Sequence, residues 1–353
     1  MRRGLSRRTV LKASAAAAAA VFASPLRAQA PAASAVTPAL IEAARKEGKL
    51  VWYAAMDLPV SQAVARGFEA RYPGIPVRIE RTGSERQFVR LAQEYGSNVR
   101  VVDVINASDA SHFIAWKRNG WLAPYVPEDV AKFFPAEHRD ADGMFATARV
   151  YVSALGYNTS LVKPEDAPKS FRDLLDPKWK GKIVKAHPGY SGTIMTATYQ
   201  IARDLGWEYF EQLAKQNVLQ VQSAVDPPKK LALGERAVMA DGNDFNVIQL
   251  KEQGQPVEVV YPSEGAPLIV CPNAVMQAAP NPNAARLFQS YLFSAEGQQL
   301  LCDFAAQHSL HPQVKTKPGR PLLANIKLMK DDASAVEAQA EQIKARYVSY
   351  FKV

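Results

Sequence analysis

Cysteine is scarce in this sequence: Cys271 and Cys302 are the only two among 353 residues. Both sit in apolar runs, "APLIVCP" and "QQLLCDF", and read as small buried hydrophobes. A disulfide between them is permitted only in an oxidising compartment. Histidine is scarce as well, with five in the chain. His308 and His311, in "HSLHP", are spaced i, i+3 without a local cysteine or carboxylate partner, which speaks against a metal site there. No internal stretch reaches the roughly 18 to 20 continuous apolar residues that span a bilayer. No block of lysine and arginine interleaved with aromatics occurs, so nothing points to nucleic acid. No repeat or low-complexity segment follows residue 36. What is present is ordinary globular composition, 48% hydrophobic and 22% charged. The length predicts about two domains.

Acidic residues are missing from positions 1–30, which hold Arg2, Arg3, Arg7, Arg8, Lys12 and Arg27. "SRRTVLK" precedes an alanine-rich run, "ASAAAAAAVFA", and then small residues, "RAQAPAASA". A charged segment, an apolar segment and a small-residue cleavage zone make an export signal, removed from the mature protein. Its arginine pair resembles the twin-arginine type, which exports folded proteins. The signal covers residues 1–30, with cleavage between Ala30 and Ala35. Those six basic residues supply most of the formal charge of +9 and leave about +3. The positive balance is therefore weak ground for a nucleic-acid partner.

The rest of the chain alternates between two periods. "PALIEAARKEG" predicts a short amphipathic helix stopped by Gly48, and "KLVWYAA" a buried parallel strand. Residues 60–72 are helical, ended by Pro73-Gly74, and "IPVRIER" is a second strand. "SERQFVRLAQEYG" is a helix with Ser84 as N-cap, and "VDVINAS" is a third strand. This rhythm predicts a parallel sheet with helices on both faces. Ligands bind beyond the carboxyl ends of such strands, which nominates Tyr53 to Asp57, Thr82 to Arg86 and Asn106 to Asp109. "FATARVYVSALGYNTSLV" closes this unit and "APKSFRDLLDPKWKGKIVKA" opens another. "PLIVCPNAVMQ" is a strand-rich return, with helices after it. The second unit is thus inserted into the first. Lobe 1 is expected over 36–147 and 263–312, and lobe 2 over 148–262 and 313–353 with the C-terminal helices. Crossing strands near Val150–Gly156 and Val257–Leu268 form the hinge.

Several phrases carry a family resemblance: "LVWYAA…AVARGFEARYPGIPV", "LLDPKWKGKI", "ALGERAVM" and "FSAEGQQLL", in this order. The chain resembles the type II periplasmic solute-binding proteins of ABC importers over roughly residues 45 to 350. Within them it is most similar to the ferric-iron binders and their organophosphate-, phosphonate- and sugar-phosphate-binding relatives. The resemblance implies an α/β, two-lobed fold, each lobe a mostly parallel sheet flanked by helices, joined by hinge strands. It implies a periplasmic monomer that is not an enzyme and has no cofactor. Such a protein catches a small polar solute between its lobes and docks on an inner-membrane permease. Most of these phrases are scaffold. "LDPKWKGKI" reads as a turn with a packed Trp179 and solvated lysines, and "GERAVM" as a helix end at Gly234 followed by a strand.

"KAHPGYSGT" admits two readings. A nucleophile elbow would make Ser191 a hydrolase serine, but that motif is G-x-S-x-G, and Gly192 follows the serine directly. His187 also lacks an acid placed to orient it. The other reading is an anion cradle. A strand ends at Ala186 and a helix begins near Thr193, and the first-turn N–H groups of a helix have no internal partner and face a positive dipole end. The corresponding loop of the resembling binders holds phosphate, carbonate or the anionic group of the ligand, which implicates Tyr190, Ser191, Gly192 and Thr193.

The ferric binders place two adjacent tyrosines after the strand matching "AVMADG". This chain has "GNDFN", Gly242 to Asn246. Where they often carry a histidine it has Asp57, and where they carry a glutamate it has Ser108. No metal site matches residue for residue. A small organic anion bearing phosphate, phosphonate or carboxylate is therefore favoured. A ferric binder with non-tyrosine ligands and a Ser191 hydrolase stay open as alternatives. The expected ligand set is Tyr53, Asp57, Ser84, Arg86, Asn106 and Ser108 from the first lobe. The second contributes Tyr190, Ser191, Gly192, Thr193, Asn243 and Asp244. Arg86 can pair bidentately with an anion. Asp57 and Asp244 call for a hydroxyl or ammonium on the same solute, as in a sugar phosphate or an aminophosphonate, with a polyamine as third choice.

The export signal generates the first prediction. The mature protein begins between Pro31 and Val36, and Arg7→Lys with Arg8→Lys leaves precursor in the cytoplasm. N-terminal sequencing of the periplasmic fraction reads both, and a mature form that keeps Arg7 and Arg8 contradicts the assignment.

Overall fold

The computed structural model describes residues 30–353, so the export signal expected over residues 1–30 lies outside the described residues except for Ala30. Local chemistry sets the first elements. Thr37 caps α1 (Pro38–Glu47) by accepting the Leu40 N–H, and Gly48 ends it at a left-handed φ of 68°, where a Cβ would be strained. There follow β1 (Leu50–Ala54), α2 (Leu58–Arg71), β2 (Val77–Arg81), α3 (Ser84–Gly96), β3 (Val104–Asn106), α4 (Ala110–Arg118) and α5 (Glu128–Phe133). β4 (Ala146–Val152) leads directly to β5 (Leu155–Asn158). The second unit holds β6 (Ile183–Ala186), α6 (Gly192–Leu205), α7 (Trp207–Ala214), β7 (Leu219–Val221), α8 (Asp226–Ala232), β8 (Val238–Met239), α9 (Asp244–Glu252) and β9 (Val257–Val260). The return comprises β10 (Ala266–Val275), α10 (Pro282–Phe293), α11 (Ala295–Ala305), β11 (Leu328–Met329) and α12 (Ala333–Phe351).

The strands make two sheets. In the first, β2, β1, β3 and β10 lie side by side, with β4 on the outer edge of β10 and β11 beside its start; the second has the order β7-β6-β8-β5-β9. β1 pairs in parallel with β2 and β3, and β6 with β7 and β8, as helical crossovers require. The sheets are nevertheless mixed, because β3–β10, β10–β4, β8–β5 and β5–β9 are antiparallel. The route of the chain explains this. β4 leaves the first sheet and β5 enters the second; β9 leaves the second and β10 enters the first. A strand that enters from the carboxyl end of a parallel set must run against it. Those carboxyl ends therefore face the gap between the two halves, where the nominated loops lie.

Each half has its own aromatic core. Trp52 meets Phe288 at a centroid distance of 5.0 Å in the first. Phe171, Trp179, Tyr209, Phe210 and Tyr347 pack in the second. Trp179 is thus scaffold, with Lys178 Nζ 4.9 Å from its ring centroid. The last segment touches both halves. β11 joins the first sheet by pairing Leu328 with Ala266. α12 packs Val336 and Ile343 against Met195 and Tyr199 of the second and reaches the first through Glu337–Arg118 at 2.8 Å and Lys344–Glu85 at 3.0 Å. Cys271 and Cys302 are free and buried. No helix among the described residues is long and apolar enough to cross a membrane.

One buried ion pair fixes the two binding loops of the second half. Lys185, in β6, lies 2.5 Å from Asp241, just after β8, and both are 1% exposed. Asp241 Oδ1 also accepts the Ala186 N–H at 3.1 Å. Burial pushes Lys185 down and Asp241 up, and each charge opposes the shift of the other. Lys185→Met leaves a lone buried carboxylate and is expected to cost about 3–5 kcal/mol of stability. Lys185→Met with Asp241→Leu should recover most of that loss. Urea denaturation of the three proteins measures it, and a double variant less stable than the single one contradicts the reading.

Candidate functional site

A cavity lies at the strand ends between the halves. The first half lines it with Ala55 to Asp57, Arg81, Gly83, Ser84, Ser108, Arg149 and Tyr151; the second with Tyr190, Ser191, Thr193, Ser223 to Val225, Asn243 and Phe245. Its free volume is about 30 Å³, room for a water or two, so the cleft is closed in this structure. A hollow of about 750 Å³ lies immediately outside and shares Asp57, Arg81 and Val225 with it.

The glycine-serine loop forms one wall. Ser191 is the N-cap of α6 and makes no side-chain capping bond, so the first-turn N–H groups and the serine hydroxyl are free to meet an anion. Thr193 Oγ1 lies 2.8 Å from the Tyr151 hydroxyl. Opposite, Gly83 rather than Ser84 is the N-cap of α3. Ser84 is the first helical residue, and its Oγ accepts the Ser108 N–H at 2.8 Å and lies 2.7 Å from Ser108 Oγ. Asn243 donates to Asn246 Oδ1 at 2.8 Å, and Asn246 donates to Asp57 Oδ2 at 2.9 Å across the cleft. Asn243 Oδ1 is left without a partner.

Arg149 was not among the residues expected from the sequence, yet it is the buried charge of this cavity, whereas Arg81 and Asp57 face each other at 3.9 Å nearer the outside. Arg149 sits in β4, 2% exposed, and forms no ion pair among the described residues. Its closest polar partner is Asn106 Oδ1 at 3.5 Å, and its Nε has none. The guanidinium lies 5.3 Å from the Tyr151 ring centroid. A buried charge without a counterion costs several kcal/mol, so this position calls for an anion. One signal existed: "ATARVYV" puts an arginine inside a run that otherwise reads as a buried strand.

Tyr53, Arg86, Asn106, Gly192 and Asp244 do not line the cavity. Tyr53 points into the sheet–helix core. Its hydroxyl donates to Glu94 at 2.8 Å beneath the Arg90 guanidinium, and burial pushes its phenol up. Asn106 donates to the Pro272 carbonyl at 2.9 Å, tying β3 to β10. Arg86 is exposed on the rim, bonded to Gln222 at 2.9 Å on the other half. Asp244 is spent on the crossings. It accepts the N–H groups of Phe245 at 2.8 Å and Val152 at 3.3 Å and the Tyr261 hydroxyl at 3.2 Å, with His308 Nε2 at 3.6 Å. His308 and His311 do not converge, since His311 packs on Phe133 at 4.8 Å. The hydrolase geometry is not assembled either. His187 Nδ1 accepts the Gly189 N–H at 2.9 Å and its ring packs on Tyr347 at 4.9 Å, whereas a serine nucleophile needs its base hydrogen-bonded to it.

Residues 100–325 match the family described as bacterial extracellular solute-binding protein. A "Probable ABC transporter periplasmic-binding protein" of Sinorhizobium fredii is 22% identical over 270 residues, 74% of each chain. A protein of Haemophilus influenzae described as uncharacterized is 26% identical over 270 residues, 73% of this chain and 76% of its own. The periplasmic binding protein AfuA of Actinobacillus pleuropneumoniae, with fructose-6-phosphate bound, superposes with a TM-score of 0.80 at 25% identity, covering 87% of this chain and 99% of that one. Iron-bound HitA of Pseudomonas aeruginosa gives a TM-score of 0.74 at 22% identity, covering 85% and 99%.

The closed cleft depends on Gly192. A Cβ there would come within 2.7 Å of Asp109 Cβ and 3.1 Å of Ser84 Cβ, both on the opposite half. Gly192→Ala is expected to leave unliganded stability unchanged while holding the halves apart and weakening solute binding by about tenfold or more. Calorimetric titration with scattering measures both; undiminished affinity would show that capture does not use this degree of closure.

Proposed function

This chain belongs to the bacterial extracellular solute-binding proteins, and from that premise we propose that it captures a small organic anion in the periplasm for an ABC importer. The family works by binding and transport rather than by chemistry, so Ser191 is a cradle residue and not a nucleophile. The observation that carries the anionic reading is Arg149, a buried guanidinium without a counterion at the cavity floor. A phosphate, phosphonate or carboxylate placed there meets the Arg149 fork, the Ser191 and Thr193 hydroxyls and the start of α6. Ser84, Ser108, Tyr190 and Asn243 complete the polar wall. Asp57 stands at the outer side, where a sugar hydroxyl or an ammonium of the same solute would satisfy it.

The structural relatives include one with fructose-6-phosphate and one with iron. Two features favour the organic anion. A guanidinium repels a metal cation, and the "GNDFN" loop presents Asn243 and Phe245 to the cavity instead of paired phenols. Tyr151 is a phenol in the cavity, but burial pushes its ionisation well up and Thr193 shares its hydroxyl, so it acts as a neutral hydrogen-bonding group. The free volume of about 30 Å³ at the centre admits only the anionic group, so the remainder of a sugar phosphate would extend past Asp57 and Arg81 into the outer hollow of about 750 Å³. The lobes of this reading are 36–147 with 263–312 and 148–262 with 313–353, hinged where β4 meets β5 and β9 meets β10. The protein is exported by its twin-arginine signal, acts as a monomer without nucleic acid, and presents its closed form to the permease. Solute binding selects that form.

A melting screen of phosphates, phosphonates and carboxylates identifies the solute class. Ligand at 100 times its dissociation constant adds about 2.7 kcal/mol. Arg149→Met should weaken binding of the selected anion by about 2–5 kcal/mol and should raise the stability of the unliganded protein, because an unpaired buried charge is removed. Ser191→Ala should cost about 1–3 kcal/mol of binding. Ferric citrate titration is the opposing measurement. One retained iron per chain, with no anion shifting the melt, would establish a ferric binder instead.

A further inference from the structure

Behind the cavity wall lies a second polar cluster that the capture reading does not use. Glu85 of α3, Asp109 at the N-cap of α4 and His112 of α4 are 9%, 1% and 7% exposed, and Lys344 enters from α12. His112 Nε2 lies 3.1 Å from one Glu85 carboxylate oxygen and Lys344 Nζ 3.0 Å from the other. Asp109 Oδ1 accepts the Ser111 N–H at 2.8 Å. Asp109 Oδ2 and His112 Nδ1 have no partner. Phe88 stacks on the imidazole at 4.7 Å.

The cluster is assembled from both halves. α3 and α4 belong with the first sheet. α12 is anchored on the second half by Tyr347, whose hydroxyl donates to Gln220 at 2.7 Å. The start of α6 is its lid, with Gly192 so near that a Cβ would crowd Asp109 Cβ at 2.7 Å. Opening the cleft would lift Gly192 away from Asp109 and admit water to that carboxylate.

Charge counting gives the consequence. Two carboxylates against one ammonium leave a net negative charge sealed from water, which is costly. An imidazolium at His112 cancels it. The Lys344 ammonium beside Glu85 opposes a metal ion here, so the cation the cluster can accept is a proton. We propose that closing the cleft takes up a proton into this cluster, so that solute capture is proton-linked and strengthens as pH falls.

The ionisation equilibria run the same way. Burial alone would deprotonate His112, but Asp109 and Glu85 outweigh it and raise its pKa, with Lys344 a smaller opposing charge. Burial raises Asp109 as well. Asp331, just before α12, is raised to about 7 by burial and by the Asp109 charge. Glu341 holds the outer side of Lys344 at 3.1 Å. In the open form the imidazole returns toward its ordinary value of about 6.5. The stabilisation of the closed form is fully present below that value and is lost as pH rises through the raised one. Burial would raise Glu85, yet His112 and Lys344 hold it low. It therefore pulls the other way only near its ordinary range of about 4.3, below this window.

This inference rests on the hinged-capture reading, and scattering without solute tests it separately. Small-angle X-ray scattering of the unliganded protein, from about pH 8 down to about pH 6, should show the closed-to-open ratio rising by up to about tenfold per pH unit for one proton. His112→Gln should flatten that dependence while keeping the fold. Glu85→Gln, which removes one carboxylate from the imidazole, should move the midpoint to lower pH and serves if His112→Gln does not fold. An unchanged pH dependence in either folded variant overturns the proposal. A wild-type profile that contracts with fructose 6-phosphate but ignores pH overturns the proton linkage and leaves the hinge standing. A profile fixed under both overturns the two together.

Discussion

A guanidinium sealed in a cleft without a carboxylate paired to it is the constraint on which the site depends. Arg149 belongs to β4, the strand that pairs with β10 and then runs on into the second half. Its charge therefore sits where the halves meet, on the backbone that carries the chain across. In the proposed capture, an anion bound there would neutralise the arginine and bridge to the start of α6 in one event. Binding and closure would then be coupled because the same few groups serve both, and a ligand shifts a two-state equilibrium only through such differential contacts.

The other buried charges are divided differently. Lys185 and Asp241 satisfy each other, and in doing so hold the ends of β6 and β8 so that the loops after them face one cavity. Asp244 gives both carboxylate oxygens to the crossing segments, through Val152 and Tyr261. Asp57 accepts from Asn246 across the cleft, yet it also borders the outer hollow. Among the buried atoms without a partner, Arg149 Nε and Asn243 Oδ1 belong to residues that line the cavity, where a bound solute can complete their bonding.

The closed geometry is tight because small residues line the contact. Gly83 and Gly192 let the two backbones approach until the Tyr190 carbonyl would lie 3.2 Å from a Cβ on Gly83. Ser84 and Ser108 hold the opposing loop rigid through one shared hydroxyl contact. The same closeness covers Asp109, the neighbour of His112 in the buried cluster.

The sequence by itself determined the order of elements and the two-lobed α/β organisation, because each is written in local pattern: hydrophobic period, capping residues, Gly and Pro punctuation. It also brought the "YSGT" loop, Ser84, Ser108, Asp57 and Asn243 into view, since strand-end loops of a βα alternation share one side of a sheet. Tyr53 and Asn106 lay at the same strand ends, but side-chain direction and a carbonyl across the sheet took them into the core. Asp244 was drawn off by the hinge. Arg149 carries no local mark of its role, because its significance is the absence of a counterion, and an absence of partners exists only once every other charge has a position. Glu85, Asp109, His112 and Lys344 likewise come together only where α3, α4 and α12 meet. Tertiary structure decided which charges are paired, for the physical reason that electrostatic pairing depends on distance and burial, and neither is a property of sequence spacing.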